Sequence, residues 1–349
     1  MIKVLIVEDS AVIRMLLTAI IGKEKDLQII GEAKNGHEAI AMAEALKPDL
    51  ITMDIRMPVM DGISTIKHIM SHQPIPIIVI SSNVNDELQI SFNAIDEGAL
   101  AVLEKPCAMT ASNFDAMRQE LLGTIRAMAE VKLIKRRIVI PTITPVILET
   151  TPASEDNNYK LVVIGSSTGG PQALKSMLSS LPGNFSLPIV ITQHISIGFV
   201  EGLVAWLNNV SALQIKIAEQ DELLQAGYVY FAPDSMQCEV AKKGSHFYIN
   251  LADDEASNGF MPSVSRLFYS AAQQCEQQAI AIMLSGMGAD GADGMLAMHQ
   301  KNCRTIAQDE QSCIVYGMPK SAIDLNAVDV ILPIDEMSQY LVNHQHRLN

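Results

Sequence analysis

Between Lys3 and Pro106 the chain repeats one pattern: a short apolar run, a polar break, then apolar residues at helical spacing. The runs Lys3 to Val7, Leu27 to Ala33, Leu50 to Met53, Ile77 to Ile80 and Ala101 to Leu103 read as buried strands. Val12 to Ile21, His37 to Leu46, Ile63 to Met70 and a segment around Asp86 to Asp96 read as the helices between them. Such alternation predicts a parallel sheet with helices on both faces, an α/β unit of the (βα)5 kind. In that architecture the functional crevice lies at the carboxyl ends of the strands.

Those ends carry chemistry. The first strand runs into Glu8 and Asp9, the third into Asp54, the fourth into Ser81 and the fifth into Glu104-Lys105-Pro106. Carboxylates gathered at one sheet edge repel unless a cation joins them, and Mg2+ prefers oxygen ligands while keeping several waters. A carboxylate beside Mg2+ and an ammonium is set up to accept a phosphoryl group, with Ser81 and Lys105 placed to sense the new oxyanions. Each residue alone reads equally as a solvated strand end or a helix cap; their joint occurrence is what points to phosphoryl transfer. With VEDS, MDIRMPVMDG, Ser81 after IIVI, and EKP, the segment resembles the receiver domain of bacterial response regulators. The resemblance implies Asp54 as phosphoacceptor and a sensor histidine kinase as donor. It also implies Mg2+ held by Glu8, Asp9 and Asp54, with the backbone carbonyl of Arg56 completing the site. Val102 stands where receivers often carry an aromatic switch residue, so an aromatic-rotamer step is not expected.

A chain of 349 residues has room for two domains. The expected division is a receiver over 1–122, a helix end and interdomain linker over 123–158, and a catalytic domain over 159–349. Phe114 to Ile134 keeps helical periodicity and ends in Lys132, Lys135, Arg136 and Arg137. The proline- and threonine-rich stretch after it has no sustained period. The basic cluster reads as a solvated helix end favoured by the macrodipole, and a net charge of −14 makes nucleic acid a poor partner. No uninterrupted apolar run approaches bilayer length, so a cytoplasmic protein without membrane insertion is expected. The five cysteines form no C-x-x-C pair, which points to reduced thiols.

The second half opens with LVVIGSSTGGPQALKSMLSSL, Leu161 to Leu181. A buried strand stops, turns at Gly165-x-Ser167-x-Gly169 and feeds a helix with Pro171 in its first turn. A hydroxyl on such a turn is a candidate nucleophile, and the free N–H groups at the helix start suit an oxyanion or a phosphate. An N-cap or a phosphate cradle is the competing reading; the G-x-G-x-x-G and P-loop patterns are not met. Two further strand ends bear reactive groups: Ile189 to Thr192 leads to His194, and Ala279 to Leu284 leads to Asp290. If the three strands are parallel neighbours, Ser167 meets a base in His194 and a carboxylate in Asp290 that orients the imidazole. Alone, His194 reads as a strand cap and Asp290 or Asp293 as a turn former. Ser166 and Ser285 compete as nucleophiles. The order Ser, His, Asp departs from that of ordinary α/β-hydrolases.

GSSTGG, ITQHI with GF, PSV, LSGMGADG and SCIVYGMP, in this order, resemble the catalytic domain of protein-glutamate methylesterases of bacterial chemotaxis. The resemblance implies a doubly wound α/β hydrolytic domain with Ser167, His194 and Asp290 as triad. Amides near Thr168 and Met287 are oxyanion-hole candidates, and no cofactor is expected in this half. It further implies a phosphorylation-activated hydrolase. Its substrates would be glutamate methyl esters of chemoreceptors and particular receptor glutamines. Ser166 stands where alanine is common, and ISIGF where a proline-containing segment is common. The competing classes are a phosphorylation-gated receptor adaptor and, against the absence of a helix-turn-helix pattern or basic surface, a DNA-binding response regulator.

Overall fold

The structure, a computed structural model, describes residues 1–82, 85–106, 111–131, 159–253 and 259–345. The linker stretch 132–158 and its basic cluster lie outside the described residues. The first half folds as β1 (Ile2–Val7), α1 (Ala11–Ile21), β2 (Leu27–Ala33), α2 (Gly36–Leu46), β3 (Leu50–Asp54), α3 (Gly62–His72), β4 (Ile77–Ser81), α4 (Asn85–Asp96), β5 (Ala101–Glu104) and α5 (Ala111–Ala129). All its strand pairs are parallel, in the order β2-β1-β3-β4-β5. The helix starts follow side-chain capping: Asn35 Oδ1 accepts from the Glu38 N–H, and Asp61 Oδ1 from the Ser64 N–H. One apolar layer, with Val4, Ile6 and Ile80, packs under α1 and α5; the other, with Leu5, Val7 and Val79, packs under α2 and α3. α5 passes through residue 122 without a break, with Ile125 and Met128 buried in the first of these layers.

The second half folds as β6 (Leu161–Ser166), α6 (Gly170–Leu178), β7 (Ile189–Gln193), α7 (Val200–Asn208), β8 (Gln214–Ile217), β9 (Tyr228–Phe231), β10 (Gln237–Lys243), β11 (His246–Ala252), α8 (Val264–Cys275), β12 (Ala279–Met283), α9 (Ala292–Gln300), β13 (Arg304–Gln308), α10 (Met318–Asp324), β14 (Val330–Leu332) and α11 (Ile334–His344). Seven strands pair in the order β14-β13-β12-β6-β7-β9-β8, every neighbour parallel, and β10 and β11 form a separate antiparallel hairpin. β6 lies between β12 and β7, so the three strand ends expected to carry Ser167, His194 and Asp290 are adjacent. Their register is level, with Gly165 opposite both Met283 and Thr192. β6 is also where successive connections turn to opposite sides of the sheet, the place where such sheets open a crevice.

The halves pack together. Phe92 and Ile95 of α4 belong to the apolar cluster of the second half, and Phe92 stacks on Trp206 of α7 with ring centroids 5.8 Å apart. Asp96 pairs with Lys175 of α6 and accepts a hydrogen bond from Trp206 Nε1 at 3.4 Å. Among the described residues no helix is long and apolar enough to cross a membrane.

Candidate active site

At the first sheet edge, one ligand oxygen each from Glu8, Asp9 and Asp54 lies within 4.8 Å of the others. Lys105 Nζ stands 2.8 Å from Asp54 Oδ2 and 3.2 Å from Glu8 Oε2, and donates to Glu8 Oε1 at 3.3 Å. Three carboxylates converge here on one ammonium, and the negative charge in excess fits a cation taking their oxygens as ligands. Burial, then the charge of Asp54, raises the Glu8 carboxyl to about 7 despite Lys105. Burial also raises Asp54, with Lys105 opposing. Burial presses the Lys105 ammonium down, but the Asp54 and Glu8 carboxylates outweigh it and hold it above the ordinary lysine value. The Arg56 N–H donates to Asp54 Oδ1 at 3.3 Å, placing the Arg56 main chain beside the carboxylate. Ser81 is buried at the neighbouring strand end, and its hydroxyl accepts a hydrogen bond from Ser91 of α4 at 2.7 Å.

At the second edge the chain turns from β6 into α6 through Gly169, whose φ of +81° disfavours any side chain; a Cβ there would also lie 2.6 Å from Ser285 Oγ. Ser167 sits half-buried on this turn. The Ser167 N–H is spent on the Ser285 carbonyl, whereas the Thr168 and Met287 N–H groups donate to nothing among the described residues. The competing serines are spent on structure. Ser285 Oγ donates to the Thr168 carbonyl and accepts from the Val315 N–H; Ser166 is fully buried and donates to Gln193 Oε1 at 2.7 Å.

His194 Nε2 is 2.9 Å from Asp290 Oδ2. That carboxylate also accepts from the Val264 and Ser265 N–H groups at 2.7 and 3.2 Å and from Ser263 Oγ at 2.9 Å, so it is bound into the start of α8. Burial, the largest influence, pushes the Asp290 carboxyl up. The His194 hydrogen bond and charge, with the Val264 N–H and Ser263 hydroxyl, outweigh burial and hold it below the usual carboxylate value. His194 Nδ1, the ring nitrogen not used for Asp290, is buried without a hydrogen-bond partner. No hydrogen bond joins Ser167 Oγ to His194 among the described residues; both line one cavity of about 470 Å3, with Thr168 and Met287.

Three contributors were given no role by the sequence, although Gln193 and Ser263 fall inside the quoted motifs. Gln193 Nε2 donates to the main-chain carbonyls of both Ser167 and His194, at 2.8 and 2.7 Å. Phe260 lies parallel to the His194 ring, centroids 4.3 Å apart. Ser263 holds Asp290 while capping α8. A glutamine bonded to main chain leaves no spacing pattern, and Phe260 reaches the site from a loop distant in sequence.

The fold and its two edges define a receiver joined to an α/β hydrolase. The response regulator receiver profile matches residues 4–112, and the CheB methylesterase profile residues 162–341. The protein-glutamate methylesterase/protein-glutamine glutaminase 2 of Methanospirillum hungatei is 42% identical, the match covering 98% of this chain and 97% of that protein. Protein-glutamate methylesterase/protein-glutamine glutaminase 1 of Syntrophus aciditrophicus is 41% identical over 98% of each. The crystal structure of the Thermotoga maritima CheB methylesterase catalytic domain superposes with a TM-score of 0.52 at 36% identity, covering 53% of this chain and 97% of that one. The chain belongs to the CheB methylesterase family.

Proposed function

We propose that the chain removes methyl groups from glutamyl methyl esters of chemoreceptors and deamidates particular receptor glutamines, with Ser167 as nucleophile, His194 as general base and Asp290 as its support. Both activities stand in the names of the full-length relatives. The observation that carries the mechanism is the joining of His194 to a buried, multiply bonded Asp290 in the cavity that also holds Ser167. Ser167 Oγ attacks the γ-carbonyl, and the free nitrogen of His194 takes its proton and returns it to leaving methanol or ammonia. Water then hydrolyses the glutamyl-enzyme with His194 again as base. The unspent amides of Thr168 and Met287 receive the oxyanion, each worth roughly 3 kcal/mol in comparable sites.

Asp54 is the phosphoacceptor in this reading, served by a sensor histidine kinase. Glu8, Asp9 and Asp54, with the Arg56 carbonyl, would hold Mg2+, which when bound supplies the positive charge that joins carboxylates and phosphoryl oxygens. Lys105 and Ser81 meet the new oxyanions. The receiver lies across the hydrolytic cavity, since Leu100, Val102, Glu120 and Thr124 line it from the first half. Phosphorylation biases this cover away. The protein works in the cytoplasm, with nucleic acid no partner at its net charge of −14.

The test is methanol release from methylated receptor, with and without a small phosphodonor and Mg2+. A stimulated rate that vanishes in Asp54→Ala and in Ser167→Ala is expected. Failure to release methanol from a panel of receptors, with Asp54 still taking phosphate, would sink the esterase.

A further inference from the structure

One wall of the catalytic cavity is the face of α5 that carries Gln119, Glu120 and Thr124; Ser167, His194 and Met287 line the other. Gln119 shares a side of the helix with Gly123, and Glu120 with Thr124; these two adjacent rows meet the cavity. The approach is close: a Cβ on Gly123 would lie 2.8 Å from Met287 Cε. Thr124 is buried in the contact, but Gln119 and Glu120 stay open to the cavity. The Gln119 side chain has no hydrogen bond among the described residues. Glu120 has a long contact, 3.5 Å, from Ser196 Oγ to each carboxylate oxygen. The cleft of a glutaminase thus faces a helix of its own chain bearing a side-chain amide beside a side-chain carboxyl, the substrate and product groups of the reaction.

We propose that Gln119 is a substrate of the chain's own Ser167, because α5 walls the cavity that Ser167 lines. The inference rests on the glutaminase reading above. Ser167 Oγ bonds to the side-chain carbonyl carbon of Gln119; the C–N bond breaks, and the serine proton leaves through His194 on ammonia. Water adds to the resulting ester, its proton taken by His194 and returned to Ser167 Oγ as the bond to Ser167 breaks. Position 119 is left as a glutamate. Tethering replaces a bimolecular encounter, so the amide needs no binding energy to reach the cleft. The product adds a negative charge to the wall that already carries Glu120, and this like charge loosens α5 from the catalytic half.

Purified full chain and its Ser167→Ala variant are incubated side by side, and position 119 is read by fragment-ion mass spectrometry. Receptor glutamine deamidation is assayed in the same preparations. The active chain gains about 1 Da at position 119, the exchange of NH2 for OH, at least about tenfold faster than the variant. The rate is independent of protein concentration, and Gln220 and Gln225 stay unchanged. Receptor deamidation with position 119 intact overturns this inference and leaves the function standing. Loss of both activities removes the glutaminase reading itself. Equal conversion in the Ser167→Ala variant, or a rate that rises with protein concentration, overturns the tethered reaction.

Discussion

At the scale of single residues, the catalytic edge is held by groups that do no chemistry. Gln193 ties the carbonyl of Ser167 to that of His194, and Ser166 orients its amide. Gln193→Leu removes both donors and leaves the His194 carbonyl and the Ser166 hydroxyl without their partner, while the Ser167 carbonyl keeps the Gly170 N–H, at about 1–3 kcal/mol for each group stranded. The expected result is a fall in kcat of about tenfold or more with KM little changed, since strand-end geometry and not docking is lost; an unchanged kcat removes the role. Asp290 gives a prediction in pH. Its folded pKa lies below the ordinary 3.8, so its contribution to stability is complete above that value and fades as pH falls through the depressed one. Asp290→Asn is therefore destabilised at neutral pH, and urea titrations should show the gap to wild type closing below about pH 4. A gap independent of pH would mean that His194 does not hold the carboxylate ionised. Ser167, His194 and Asp290 are legible in sequence because each follows an apolar run at a turn. Gln193, Ser166 and Phe260 are not, because their partners are main-chain carbonyls, a neighbouring strand end and a distant ring.

Among elements, α4 does most to join the two sheets. One side brings Ser91 to Ser81 at the sheet edge that carries Asp54, and Phe92 and Asp96 meet Trp206 and Lys175 in the other half. A link therefore exists between the Ser81 hydroxyl and the interface without an aromatic residue at position 102. Phe92→Ala strips a fully buried ring from the contact, costing about 3 kcal/mol. Part of that loss falls on the closed arrangement alone, so methanol release without phosphodonor should rise at least about fivefold. A basal rate equal to wild type would separate α4 from control of the cleft. The helix itself was legible from its periodicity; its partner was not, because an apolar stripe does not name the surface it covers. β14 had no such signal either, since its three residues are all partly exposed and form no buried run.

For the whole molecule, the alternation of strands and helices was enough to expect two parallel sheets, and adjacency of β12, β6 and β7 was the condition the triad reading left open. What no local pattern carries is how one sheet sits over the other. Here the receiver walls the catalytic cavity through β5 and α5 and clamps it through α4. If this wall closes the site, as proposed above, the enzyme gains activity from losing its cover. Removal of residues 1–131 should raise methanol release above that of the unstimulated full chain, abolish the response to phosphodonor and Mg2+, and leave the rate near that of the phosphorylated protein. The pair Lys175–Asp96 is only partly buried, so raising salt should move the full chain in the same direction, more weakly. An unstimulated rate that stays the same after the receiver is removed would mean that the contact seen here does not close the site, and that Asp54 acts on the esterase by some route other than uncovering it.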